Sequence, residues 1–240
     1  MASQITQTDH DGILTLTMNR PGRGNLMTAN MIKRLTDTIA GIEKGEPTRA
    51  VVLRGKGKDF CLGRDPGAKP AKPPTAWQMH ENVTSLILDA YAAIRRCPIP
   101  VIAVVQGHAQ GFGSGIAAAC DMVLAADTAI FSTPEMKVGI APTLVMTALQ
   151  HVHRKALAHL IFSGAPITAD TALSVGLVSA VVPEASLEDS AEQLCTQMRA
   201  YDVHGIQVIK QFLGKPGNTH PETLSDLADY MLATAFTRPK

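Results

Sequence analysis

The chain has 240 residues, 45% of them hydrophobic, which supports one generous core or two modest ones and excludes a disordered or fibrous chain. Its 22 basic and 21 acidic residues nearly cancel, so no general attraction to nucleic acid or to an anionic membrane is encoded in the net charge. No apolar run reaches transmembrane length, and the start MASQITQTDHDG lacks the apolar centre of a signal peptide. The expectation is a soluble, cytoplasmic protein in a reducing compartment.

Along the chain, Ile13 to Met18 (ILTLTM) alternates as a strand, and Gln4 to Gln7 reads as a short edge strand beside it. After the Asn19-Arg20-Pro21-Gly22 turn, Thr28 to Ile42 has helical spacing, with Met31, Leu35, Ile39 and Ile42 on one side and Thr28 as N-cap. Val51 to Arg54 is an apolar strand that needs cover on both faces. Lys69 to Pro74 is polar and proline-rich and reads as a mobile surface loop. A helix from about Trp77 to Arg96 is expected next.

Val101 to Val105 reads as a buried strand, Gly113 to Cys120 as a helix of small residues, and Met122 to Ala125 and Ala129 to Ser132 as short strands. The pattern turns helical from Val145 and breaks at Ala165 to Thr168 before a short helix, Ala169 to Ser174. Leu177 to Val182 is a last strand or extended segment. Helices over Ser186 to Tyr201, Val203 to Leu213 and Glu222 to Thr234 close the chain. Alternating strands and helices predict an α/β core with crossover connections, and the strand-free end reads as a helical appendage. The domain expectation is a core with the site over 1–185 and a helical region over 186–240, serving as pocket cover or subunit contact.

The chemistry concentrates in two glycine-cornered loops and one downstream acid. Phe60-Cys61-Leu62-Gly63-Arg64-Asp65 follows a strand, and Gly63 lets the backbone turn so that the next N–H faces a ligand. Gly111-Phe112-Gly113 sits where a strand gives way to a helix, whose first N–H groups have no partner within the helix. Two such amides can bracket one carbonyl oxygen and stabilise an enolate; ordinary tight-turn glycines are the alternative. Glu135, after Pro134, becomes a usable base if an apolar pocket desolvates it. Asp65 is expected to tie its own loop by accepting N–H bonds.

GFGSG is not a dinucleotide fingerprint, and Ser114 is out of register for a nucleophile elbow. The cysteines Cys61, Cys97, Cys120 and Cys195 have no metal spacing and read as small buried fillers. No metal set emerges among His80, His108, His151, His153 and His159; a packed or solvent-facing ring is the expectation for His108 over one lining the pocket.

LTMNRPGRGNLM, DFCLGRD, PVIAVVQGHAQGFGSGIAAACDMVLAAD, FSTPEMKVGIAP and AHLIFSGAPITADTALSVGLVSAVVP, in that order, resemble the enoyl-CoA hydratase/isomerase (crotonase) family over nearly the whole chain. The resemblance implies an α/β fold of repeated ββα units with a C-terminal helical trimerisation region, an acyl-CoA thioester as substrate, and a homotrimer or dimer of trimers. It places the two oxyanion donors on the backbone amides of Arg64 and Phe112 and the catalytic carboxylate on Glu135. It sets Cys61 and Gly63 beside the coenzyme A portion, with Arg23, Lys58, Lys69 and Lys72 as candidates for its phosphates. No cofactor beyond the substrate's own coenzyme A is implied.

Two departures matter. The first of the two glutamates of two-glutamate hydratases falls on Gly115, and IAPTLVM, Ile140 to Met146, replaces the common glycine-rich turn. One carboxylate suffices for Δ3,Δ2-isomerisation, and it also activates water that backbone groups hold in place. Hydration of a 2-enoyl-CoA is the leading expectation, isomerisation the alternative, and acyl-CoA binding without catalysis a further one.

Overall fold

The computed structural model describes residues 4–68, 72–215 and 219–236, with the side chains of residues 235 and 236 left aside. Lys69 therefore lies outside the described residues, as does part of the proline-rich loop.

The chain opens with strands β1 (Ile5–His10) and β2 (Ile13–Met18), paired antiparallel from Ile5↔Met18 to His10↔Ile13. Asp11 and Gly12 join them, with φ of 51° and 79°. Positive φ at both central residues is what a two-residue hairpin turn demands, and Asp-Gly is among its preferred sequences. The edge strand thus runs to His10 rather than stopping at Gln7. Helix α1 (Ala29–Ala40) follows, capped by the Thr28 side chain, which accepts from Met31 N at 3.3 Å. Strand β3 (Ala50–Gly55) is buried over its first four residues.

The segment expected as one helix from Trp77 to Arg96 is α2 (Ala76–Met79), a π turn over His80–Thr84, and α3 (Ser85–Arg96). Its start is set by a capping box, in which Gln78 N donates to Thr75 Oγ1 (3.2 Å) and Thr75 N to Gln78 Oε1 (2.9 Å). Strand β4 (Val101–Val105) is buried throughout. Then come β5 (His108–Gln110), α4 (Phe112–Ala119), β6 (Met122–Ala126), β7 (Ile130–Ser132), a 3-10 turn over Pro134–Val138, α5 (Thr143–Ala148) and α6 (Arg154–Ser163). After β8 (Ile167–Thr168) and α7 (Ala169–Ser174), β9 (Ala180–Val182) is the last strand, and α8 (Leu187–Ala200), α9 (Val203–Leu213) and α10 (Pro221–Phe236) complete the described chain.

Six strands form one sheet in the order β1-β2-β3-β4-β6-β9, parallel from β2 onward. A second sheet, β5-β7-β8, carries the site. Parallel strands reached by helical crossovers need cover on both faces, which explains the unbroken apolar runs of β3 and β4. Met31, Ile32, Leu35 and Ile39 of α1 and Ile87, Tyr91 and Ile94 of α3 are buried in one core with those strands. Leu177 and Val178 are buried before β9 begins, after the turn at Gly176 (φ 81°), so the extended segment pairs only over its last three residues.

The inner faces of the C-terminal helices join the same core through Leu187, Ala191, Cys195 and Ile206. Lys210 of α9, only 6% exposed, forms an ion pair with Asp121 and reaches Ile94 O at 3.4 Å. Asp121 also accepts from Val101 N at 2.8 Å, so one carboxylate fastens α9 to the main sheet. No helix among the described residues is long and apolar enough to cross a membrane.

Candidate active site

The first glycine loop is clamped on both flanks. On one side, Asn25 sits fully buried at φ 53°. Its amide donates to Lys56 O (3.0 Å) and Asp59 O (2.7 Å), and its Oδ1 accepts from Arg20 N (2.9 Å). Met27 N donates to Gly63 O and Asp65 N to Met27 O, both at 2.9 Å. The Arg20 guanidinium binds the Asp65 carboxylate and Leu26 O. That bond, with the Gly67 N–H at 2.9 Å, holds the Asp65 carboxyl below the usual carboxylate range. Asp65 therefore ties its own loop, as its position suggested.

On the other flank, Phe60 N donates to Gln106 O (3.0 Å), Cys61 N to His108 O (3.1 Å) and Gln110 N to Cys61 O (2.9 Å). Asp59 Oδ1 accepts from His108 N (3.1 Å) and lies 2.8 Å from His108 Nδ1, so this imidazole braces the loop instead of facing it unpaired. Strand β5, which the sequence pattern did not reveal, is the rail on which both glycine loops hang. Three residues are too few for a period to show.

Gly111 turns the chain from β5 into α4 at φ 51° and ψ −114°, a conformation that favours glycine, and its N–H donates to Ser132 O at 2.9 Å. Ser114 Oγ lies 2.7 Å from Ala109 O and 2.9 Å from Ser132 O, which makes it a buried brace between α4 and the small sheet. Gly113 is required by close packing: a Cβ there would stand 2.9 Å from Cys61 Cβ. A Cβ on Gly63 would lie 3.3 Å from Gln110 O and 4.0 Å from Phe112 N. The two loops are thus in contact, and their following amides, Arg64 N–H and Phe112 N–H, have no acceptor among the described residues. The Arg64 guanidinium turns back to Asp65 O at 3.0 Å.

Glu135 enters from the turn after β7. A Cβ on Gly111 would stand only 2.8 Å from Glu135 Oε1, so the carboxylate rests on the first turn of α4. Desolvation raises its pKa, and its own backbone N–H offsets this only in part. Its Oε2 is buried with no hydrogen-bond partner among the described residues. A desolvated carboxylate beside two unpaired amides is equipped to take and return a proton while the amides hold an oxygen.

Gly63, Arg64, Phe112 and Glu135 are therefore brought together. Arg23, Lys58 and Lys72 are exposed. Cys61 is fully buried, its backbone taken up by β5 and its thiol within 3.4 Å of Asn25 O. Burial pushes that thiol up to about 12, so it stays protonated and is no nucleophile.

Position 115 brings in a residue that sequence reasoning missed. A Cβ on Gly115 would stand 2.5 Å from Tyr91 Cζ and closer still to Tyr91 Oη. Tyr91 is 0% exposed, and its ring packs against that of Phe112 with centroids 5.6 Å apart. In the sequence it is one more large residue on the inner stripe of α3, with nothing to set it apart from Ile87 and Ile94. Among the described residues no group of three His, Cys, Asp or Glu is placed to hold a metal ion.

The sequence model described as Enoyl-CoA hydratase/isomerase matches residues 8–238. The chain is 31% identical over 197 residues to enoyl-CoA hydratase domain-containing protein 3, mitochondrial, of Rattus norvegicus, covering 81% of this chain but 65% of that protein. It is 30% identical over 219 residues to the 1,2-epoxyphenylacetyl-CoA isomerase of Escherichia coli, covering 90% and 84% of the two chains. Against the crystal structure of an enoyl-CoA hydratase of Mycobacterium smegmatis the TM-score is 0.92 at 30% identity, over 99% of this chain and 93% of that one. A CoA complex from Thermobifida fusca superposes with a TM-score of 0.87 at 25% identity, over 97% and 93%. The fold is the crotonase-like α/β architecture, and the chain belongs to the enoyl-CoA hydratase/isomerase family.

Proposed function

We propose that the protein binds an acyl-CoA thioester, holds its carbonyl oxygen with the amides of Arg64 and Phe112, and moves a proton with Glu135. The observation that carries this reading is the convergence of two unpaired amides and one desolvated carboxylate on the first turn of α4. As the thioester becomes an enolate, negative charge grows on an oxygen that both amides face, and the positive end of α4 favours it. The leading reaction is addition of water to a 2-enoyl-CoA. Glu135 takes a proton from water as the oxygen bonds C3, and the same proton then passes to C2.

Gly115 favours Δ3,Δ2-isomerisation as a second reading, because the space beside it is filled by Tyr91 and offers no second carboxylate. The identity to an acyl-CoA isomerase of E. coli supports the same class of substrate. Arg23, Lys58 and Lys72 are exposed and available to coenzyme A phosphates, and Gly63 and the buried Cys61 belong to the first glycine loop. The exposed apolar side chains Val138, Ile140 and Phe162, with Ile209 and Leu213 on α9, support self-association into a trimer or a dimer of trimers.

Mass spectrometry of mixed 2-enoyl- and 3-enoyl-CoA thioesters in deuterated water tests the reaction. Gain of one water by a 2-enoyl thioester is expected. Interconversion of the two without water gain replaces hydration by isomerisation, and binding without any change replaces both with an acyl-CoA-binding role.

A further inference from the structure

Five buried side-chain polar atoms lack a hydrogen-bond partner among the described residues, and two of them, Tyr91 Oη and Glu135 Oε2, belong to one site. Both residues pack at the start of α4. Glu135 lies over Gly111 and Tyr91 over Gly115, one helical turn apart and linked by the Gly115 N to Gly111 O bond of 2.9 Å. The two atoms are complementary. An ionised carboxylate oxygen only accepts, whereas a phenol held protonated donates. Burial, and next the charge of Glu135, keep the Tyr91 phenol from ionising, so it donates at every working pH. An orphaned buried donor or acceptor is costly, and an oxygen that carries its own hydrogen satisfies one of each at once.

We propose that Tyr91 is a second catalytic residue, its Oη donating to the oxygen that is added at C3 while Glu135 Oε2 accepts that oxygen's proton. The inference rests on the acyl-CoA reading above and gives hydration the group that Gly115 cannot provide. In the step, a water O–H breaks as its proton passes to Glu135, the oxygen bonds C3, and the C2–C3 π pair moves into the thioester enolate. Glu135 then returns the proton to C2. Tyr91 keeps its own proton throughout and acts on the oxygen alone, so proton exchange at C2, which needs only Glu135 and the amides, does not depend on it.

The test measures two rates on the same protein: hydration of 2-butenoyl-CoA, and exchange of the C2 protons of butanoyl-CoA in deuterated water. Tyr91→Phe keeps the ring that packs on Phe112 and removes only the orphaned hydroxyl, so folding is retained, which its melting temperature checks. Hydration is expected to fall on the order of 10²-fold while C2 exchange stays within about twofold. Hydration unchanged in Tyr91→Phe overturns the proposal and leaves the acyl-CoA reading intact. Equal losses in both rates also overturn it, since Tyr91 would then act by positioning Glu135. Absence of C2 exchange in the unmutated protein, with Glu135→Gln no different, overturns the acyl-CoA reading and this inference with it.

Discussion

Gly111 and Glu135 are fitted to each other: the hydrogen that glycine carries in place of a side chain is where the carboxylate rests, 2.8 Å from where a Cβ would stand. Gly111→Ala adds that Cβ at a φ of 51° and ψ of −114°. The backbone strain is about 1–3 kcal/mol, and the Glu135 carboxylate must move as well. We expect a lower melting temperature and a fall in kcat on the order of 10²-fold, with a smaller change in KM, because the base moves while the rest of the pocket stays. Steady-state kinetics of the variant against unmutated protein checks the split.

The raised pKa of Glu135 gives both activity and stability a sign. With the ionised carboxylate as the proposed base, activity should rise with pH through a limb above the ordinary glutamate value and vanish in Glu135→Gln. For stability the folded state binds the proton more tightly than the unfolded one. This contribution is full below the unfolded pKa and is lost as pH rises through the folded one. Glu135→Gln should therefore melt no lower than the unmutated protein at neutral pH, and equality or an increase is the expected calorimetric result. A clear drop would mean that the carboxylate has a structural partner.

Cys61 sits inside the site without thiol chemistry. With its thiol pushed up to about 12 and fully buried, it should resist iodoacetamide in native protein at pH 8 and react once the chain is denatured. Mass mapping of the alkylated peptide reads this directly. Cys61→Ala should keep turnover within about tenfold, the change reflecting a small cavity and not a lost nucleophile.

Asn25 holds the first loop from below through three hydrogen bonds, all to backbone. Asn25→Ala leaves the Arg20 N–H and two carbonyls without it and places alanine at φ 53°. A loss of about 2–4 kcal/mol in urea unfolding is expected. Turnover should fall further than stability alone implies, since the Gly63–Arg64 turn loses its anchor.

Lys210→Met should be costly for a different reason. It strands the Asp121 carboxylate that also holds Val101 N; Lys210 is buried but Asp121 still meets solvent, so the expected loss is about 1–3 kcal/mol. Pairing it with Asp121→Asn should recover part of the loss, which a double-mutant cycle in denaturant measures.

The fold was legible wherever a period or a strong local signal extended over several residues. Val101–Val105, Ala169–Ser174 and Val203–Leu213 fall where their patterns placed them, and Thr28 caps its helix as predicted. The π turn at His80–Thr84 was hidden because its residues carry no proline or glycine to mark it. Gly63, Gly111 and Glu135 announced themselves by type. Asn25, His108 and Tyr91 did not, since their parts depend on partners far away in sequence: Asp59 for His108, Gly115 for Tyr91. An apolar stripe on a helix reports that a face is buried, not that one hydroxyl on it meets a glycine in place of a side chain.

The β5 rail has a consequence for how this site tolerates change. As the proposed oxyanion donors, Arg64 and Phe112 act through their main-chain N–H, which nineteen of the twenty amino acids possess. No ordinary side-chain replacement at either position deletes the donor; only proline does. Glu135 and Tyr91 have no such redundancy. The vulnerability of the proposed chemistry is thus concentrated in the side chains of Glu135 and Tyr91, while its polarising half is spread over a backbone that substitution can bend but hardly erase.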